Sequence, residues 1–167
     1  YKTSTIRHNM SSLKNDIKSL IKGDVDDSPD VKAFYSHDAS MFEMVPEVVV
    51  APLDSGEIQK LVKYVTNKKQ TTGESVSLTV RSGGTCMSGG AINESIILDM
   101  TSHFNTIGEV TETTANARPG VYYRDFEVET LKHNALMPSF PASRDLCTIG
   151  GMVANNSGGE KSLSYGK

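Results

Sequence analysis

The densest concentration of potential chemistry in this sequence is a run of glycines. Residues 81–90 read Arg-Ser-Gly-Gly-Thr-Cys-Met-Ser-Gly-Gly, so that Gly83, Gly84, Gly89 and Gly90 are interleaved with the hydroxyls of Ser82, Thr85 and Ser88. Glycine accepts positive φ and close backbone approach, which lets several amides converge on one point. Convergent amides of this kind bind an anion, most often a phosphate. A flexible surface loop has the same composition, and the run by itself leaves both readings open. A second cluster follows much later, Thr148-Ile149-Gly150-Gly151-Met152-Val153-Ala154-Asn155-Asn156-Ser157-Gly158-Gly159. It reads as a plain loop, as a helix start, or as the second half of a grip. Two such clusters suit one extended ligand held from two sides, since a single phosphate needs only one.

Standard nucleotide fingerprints fail on both clusters. Gly84 to Gly89 has the Walker spacing, but Gly90 and Ala91 stand where that loop needs Lys and Ser or Thr, and no Gly-x-Gly-x-x-Gly occurs. Arg81 reads as a phosphate partner or, equally, as a strand-end residue facing solvent or paired with a carboxylate. His37-Asp38 reads as a polar surface or ligand-edge feature in preference to a metal pair, because no further His, Cys or carboxylate spacing supports it. His8, His103 and His133 are expected to be solvated. Cys86 and Cys147 read as redox sensors or as small buried thiols, the commoner case. No metal site and no catalytic residue is assigned.

The elements that must position these residues are legible in the hydrophobic pattern. Residues 4 to 22 carry Ile6, Met10, Leu13, Ile17, Leu20 and Ile21 on one helical face, with Gly23 as the stop. Asp24 to Asp30 is acidic and reads as a linker, and Val31 to Met44 is ambiguous. Val48-Val49-Val50-Ala51-Pro52 is a buried strand that ends at a proline. Asp54 and Glu57 resemble a capping box before a helix running to about Asn67 through Ile58, Leu61, Val62 and Val65. A polar loop at Gln70 to Ser75 precedes a strand over 76–81, the first glycine run and a strand over 95–99. This order is that of an α/β unit. Residues 107–118 alternate weakly, as in an antiparallel pair broken by Arg118-Pro119-Gly120, and Val121 to Asn134 reads as a helix. Pro138 and Pro141 make the segment from Met137 to Ser143 a rigid, shaped loop.

The 167 residues suffice for one domain with a real core, and a net charge of −3 with 22% charged residues argues against a nucleic-acid surface. No apolar run has the length of a membrane span and no secretory leader opens the chain, so no integral membrane segment is expected. The two cysteines lack disulfide or zinc spacing and suit a reducing cytoplasm, which makes the Asn-x-Ser triplets at Asn9, Asn93 and Asn155 fortuitous. Attachment to the inner face of a membrane is compatible with this reading. The sequence opens on Tyr1 and stops at Lys167 without punctuation, and it reads as a piece of something longer.

Six ordered blocks between Pro46 and Gly166 resemble the FAD-binding domain of the vanillyl-alcohol oxidase (PCMH-type) flavoprotein superfamily. They are Val-Val-Val-Ala-Pro before a helix, the 81–90 run, Ile-Ile-Leu-Asp-Met, Ala-Arg-Pro-Gly-Val, Pro-Ser-Phe-Pro-Ala-Ser and Cys-Thr-Ile-Gly-Gly-Met-Val-Ala-Asn-Asn-Ser-Gly-Gly-Glu. Within that superfamily the chain is most similar to the D-lactate dehydrogenase and glycolate oxidase subunit branch. The resemblance implies an α+β (α/β) fold of two lobes, incomplete at its C-terminus. Residues 1–45 would then be an N-terminal helix and linker, and 46–167 a truncated cofactor domain lacking its substrate domain.

The same resemblance implies that backbone amides from Ser82 through Gly83, Gly84, Thr85, Cys86 and Met87 to Ser88 hold a flavin pyrophosphate, with Gly89 allowing close passage. It implies that Pro141, Ala142 and Ser143 in the proline loop, with Thr148, Gly150 and Gly151, line the isoalloxazine and ribityl side. Asn155, Ser157 and Gly158 complete that wall. Relatives with a histidyl-linked flavin carry His where this chain has Thr85, and Cys147 is one residue out of register with the cysteinyl link of others, so the FAD is expected to be non-covalent. The implied reaction is hydride removal from a small 2-hydroxy acid of D-lactate or glycolate type. The electron acceptor is open, and a homo-oligomer or a partner subunit is compatible. Competing readings are a UDP-N-acetylenolpyruvoylglucosamine reductase-like or molybdenum-hydroxylase-type flavin subunit, and a non-catalytic module binding a phosphate ligand or a protein. Gly84→Val is expected to abolish flavin retention, measured by absorbance after gel filtration, because the new side chain would fill the pyrophosphate's place.

Overall fold

Val48–Ala51 and Ile96–Asp99 are apolar on both faces, which only a strand covered on both sides can satisfy. In the computed structural model, which describes residues 10–167, these two strands are the buried centre of a sheet. The elements run α1 (Met10–Leu20), β1 (Asp24–Asp26), α2 (Pro29–Tyr35), β2 (Val48–Ala51), α3 (Ser55–Thr72), β3 (Leu78–Arg81), β4 (Ile96–Asp99), β5 (Ile107–Val110), β6 (Ala115–Ala117), α4 (Tyr123–Leu131), α5 (Ile149–Ala154) and α6 (Ser162–Tyr165). The sheet order is β1-β2-β4-β3, with β2 and β3 both parallel to β4 and β1 antiparallel at one edge. Leu13, Ile17 and Ile21 of the expected N-terminal face pack with Leu61 of α3 against Val48, Val50, Ile96 and Leu98. Ile6 and His8 lie outside the described residues.

A second, smaller core forms around Val121, Tyr123, Phe126, Cys147 and Met152, packed against the β5–β6 hairpin and the proline loop. The fold is thus α+β, with a parallel-centred lobe followed by a hairpin-and-helix lobe. Two local expectations change. The acidic stretch read as a linker contains β1, an edge strand whose exposed charges conceal it, and His103, read as solvated, ties that strand down through Nε2 at 2.7 Å from Asp24. Residues 70–72, read as loop, continue α3, which stops only at Gly73, where the backbone turns left-handed at φ +70°, and the Thr71 and Thr72 hydroxyls donate back to the carbonyls of Asn67 and Lys68 at 2.8 Å.

Glu57 is the point where these elements are tied together. The Asp54 carboxylate accepts the Glu57 amide at 2.9 Å, the expected first half of a capping box. Glu57 does not return the bond to Asp54. Its buried carboxylate accepts the amides of Lys22 at 2.6 Å, Leu53 at 2.8 Å and Gly23 at 3.3 Å, joining the end of α1, the entry to α3 and the start of β1. Burial opposes its charge, but the amides of Leu53, Lys22 and Gly23 outweigh burial and hold the carboxyl below its ordinary value of 4.5. A depressed folded value means a stabilisation present above the ordinary value and lost as pH falls through the depressed one. Glu57→Gln should therefore cost about 1–3 kcal/mol in urea unfolding at neutral pH, with the difference from the parent shrinking in acid. An equal difference at all pH values would show that the charge is not what the amides stabilise.

Candidate functional site

The first glycine run leaves the sheet at the end of β3, where Arg81 pairs in register with Asp99 of β4. Arg81 is buried, at 7% exposure, so it does not face solvent. Its Nη1 donates to the backbone carbonyls of His37 at 2.5 Å and Tyr35 at 3.5 Å, and its guanidinium lies 5.1 Å from the Tyr35 ring centroid. Gly84 folds over it with φ +66°, and a Cβ there would stand 2.7 Å from Nη2 of Arg81. The obstacle to a side chain at Gly84 is therefore the guanidinium and the left-handed backbone, which revises the reason given above for the Gly84→Val effect.

The loop is held mainly by its carbonyls and ends. Ala39 donates its amide to the Gly84 carbonyl at 3.1 Å, and the Ala91 amide reaches the Asp38 carboxylate at 3.4 Å. Burial disfavours the Asp38 charge, yet the Ser40 hydroxyl, the Ser40 and Ala91 amides and Arg81 keep its carboxyl below the usual range. Among the described residues, the amides of Ser82, Gly83, Gly84 and Thr85 donate to no protein acceptor. Cys86 Sγ lies 3.4 Å from the Ser88 hydroxyl, and that contact, followed by the Ser88 and Gly90 amides, lowers its thiol pKa.

The second cluster is a different kind of structure. Gly150 and Gly151 form the first turn of α5, whose Thr148 cap accepts the Gly151 amide at 3.3 Å. The other first-turn amides are also engaged, Ile149 on the Val121 carbonyl at 2.9 Å and Gly150 on that of Pro119 at 2.8 Å. This helix end is a wall and has no amides left to offer. Its closeness to the Arg118-Pro119-Gly120 break requires glycine, because a Cβ at Gly150 would stand 2.5 Å from Cβ of Pro119.

The two clusters meet across a cleft of 310 Å³ lined by Ser82, Gly83, Gly84, Thr85 and Cys86 on one side and Gly150, Gly151 and Asn155 on the other. Val80, Gly90, Ala91, Pro119 and Ala154 complete it, and sequence reading missed these five. Val80 carried no signal of this, because alternation puts it on the face of Leu78, which packs against the core, yet it is 60% exposed. Met87 and Ser88 are exposed at the loop's tip, outside the cleft, and Gly89 packs on the Phe42 ring. Thr148 is buried behind the wall. Ser157, Gly158, Pro141, Ala142 and Ser143 form a separate group, where Ser139 donates to the Ser157 carbonyl at 3.4 Å and Gly159 abuts the Phe140 carbonyl. A Glu127–Arg144 ion pair and the Tyr123 hydroxyl, bonded to the Met137 carbonyl at 2.6 Å, fix that proline loop. On the other side of residues 83–85 lies a second cleft of 360 Å³, reached by His37, Asp38, Arg81, Tyr122 and Arg124. The glycine loop is thus a thin partition between two hollows.

Gly150→Ala should push α5 away from Pro119 and cost about 1–3 kcal/mol in thermal or urea unfolding. Unchanged stability would show that the two segments can separate freely and that the cleft's width is not set by this contact.

Comparison with known proteins bears on what the cleft holds. Residues 46–167 match the FAD binding domain family. The chain is 31% identical over 145 residues to glycolate oxidase subunit GlcD of Bacillus subtilis, covering 84% of this chain and 30% of that protein. It is 29% identical over 148 residues to D-lactate dehydrogenase of Archaeoglobus fulgidus, covering 81% and 32%. A solved alkyldihydroxyacetonephosphate synthase superposes with a TM-score of 0.77 at 21% identity, over 94% of this chain and 31% of that one, which shows a shared fold. The chain spans about a third of the length of these proteins. With its two glycine clusters facing one another across a single cleft and most of its length inside the family match, the chain belongs to the PCMH-type FAD-binding domain family.

Proposed function

We propose that the cleft between the glycine loop and α5 is where this domain holds FAD, with the pyrophosphate against the amides of Ser82 to Cys86 and the ring and ribityl side toward Gly150, Gly151 and Asn155. Met87, Ser88 and Gly89 shape the loop's tip. Thr148 caps α5, and Pro141, Ala142 and Ser143 with Ser157 and Gly158 extend the wall beyond the cleft. The observation that carries this reading is the division of labour between the clusters. The loop has amides without protein acceptors, which suits a diphosphate, while α5 has its first-turn amides engaged and presents glycine surface, which suits a flat ring.

The protein to which this domain belongs is proposed to oxidise a small 2-hydroxy acid of the D-lactate or glycolate type. Support comes from the names of the relatives, which cover hydroxy-acid oxidation. FAD supplies the hydride acceptor when bound, and the chain's residues supply binding, orientation and a wall against water. The FAD is proposed to be non-covalent, because Thr85 lines the cleft where a linking His would be needed and Cys147 is buried, its thiol pKa raised by burial. Two free thiols suit a reducing, cytoplasmic location, and no described helix is long and apolar enough to cross a membrane. A partner subunit or a second copy, and an acceptor that reoxidises the flavin, complete the proposal.

Acid precipitation of the FAD-loaded protein should release all of the flavin into the supernatant. Flavin remaining in the pellet would refute non-covalent binding. In the whole protein, anaerobic D-lactate or glycolate should bleach the visible flavin absorption, whereas bleaching only by NADPH would favour the reductase-type alternative.

A further inference from the structure

We propose that Arg81 is a positioning residue that sets the shape of the cofactor loop without pairing with the pyrophosphate. The inference rests on the reading that this loop holds FAD.

Arginine at the mouth of a phosphate-binding loop invites assignment as the counter-ion. Three observations argue otherwise. First, Arg81 is 93% buried by the complement of its 7% exposure, and its Nη1 is directed to the carbonyls of His37 and Tyr35. Second, carboxylates stand near it, Asp99 as its register partner on β4 and Asp38 beside it in the second cleft. Third, the guanidinium lies directly under Gly84, where a Cβ would be 2.7 Å from Nη2, 2.9 Å from Cζ and 3.2 Å from Nε. The planar group is a floor on which the loop rests.

The floor belongs to a larger clamp built by residues 35–42. Besides the two carbonyls on Arg81, that segment gives the Ala39 amide to the Gly84 carbonyl, the Asp38 carboxylate to the Ala91 amide, and the Phe42 ring to Gly89. The loop is thereby gripped at its entry, middle and tip. A glycine-rich loop loses more conformational entropy on ordering than any other sequence, so a clamp that orders it in advance raises its affinity for a ligand. Lysine cannot replace arginine here, because an ammonium could reach the two carbonyls that Nη1 reaches but has no planar group to set Nη2, Cζ and Nε beneath Gly84.

The test is FAD binding by isothermal titration to the wild-type chain, Arg81→Lys and Arg81→Gln, across a range of salt concentrations and below each variant's melting temperature. Positioning requires both variants to lose about tenfold or more in affinity, with lysine no better than glutamine. It also requires the wild-type affinity to change little with salt, since neutral amides release no counter-charge. If lysine keeps the affinity, and glutamine lowers it while flattening a steep salt dependence, Arg81 is a direct phosphate partner and the inference is overturned. Wild-type affinity in both variants overturns it too. Should neither variant fold, the wild-type salt dependence decides alone, flat for positioning and steep for pairing. A wild-type chain that binds no FAD at any salt removes the functional reading beneath the inference, an outcome distinct from all of these.

Discussion

A loop proposed to present amides to a ligand must be held in place without using those amides. The first lobe meets that constraint. Burial of β2 and β4 fixes the edge strand β3, and β3 delivers Arg81 and the loop to one place. From there the neighbouring segment takes hold of the loop through carbonyls, a guanidinium and a ring, and the amides of residues 82–85 are left without protein acceptors. Unpaired backbone donors are costly away from water, so this arrangement is stable only where solvent or a ligand reaches them. The cleft provides that access.

The second lobe solves the opposite problem. In the proposed reading a flat ring needs a wall that approaches closely and offers few competing donors, and α5 would meet that need through its own capping. Thr148, Val121 and Pro119 accept the first-turn amides, and the Pro119–Gly150 contact sets how near the helix can come. The same backbone bonds lace α5 to the start of α4, where Tyr122 and Thr148 form an isolated bridge. The helix is therefore tied to the hairpin lobe, and the small core around Tyr123 and Phe126 supports it.

The elements that bury apolar residues periodically were legible in the sequence. Val48 to Ala51, Ile96 to Asp99 and the Leu13–Ile17–Ile21 face carry their own pattern, and each lies where that pattern puts it. The edge strand at Asp24–Asp26 was not legible, because its residues are charged or half-buried and its pairing is dictated by β2. At the site, glycine composition revealed both clusters, and the order of the blocks revealed the family. Composition could not reveal that one cluster is a loop with unengaged amides and the other a capped helical turn. Nor could it reveal what Arg81 touches, since its partners are main-chain carbonyls of residues 35 and 37. Backbone partners leave no signature in side-chain identity.

The central claim is that the amides at 82–85 are the groups that receive the cofactor's diphosphate. Amide hydrogen exchange, read residue by residue with and without FAD, tests it most directly. The account predicts fast exchange at Gly83, Gly84 and Thr85 in the free protein and strong protection there on FAD binding, with the first turn of α5 already protected in both states. Tight FAD binding that leaves those three amides exchanging as before would contradict it.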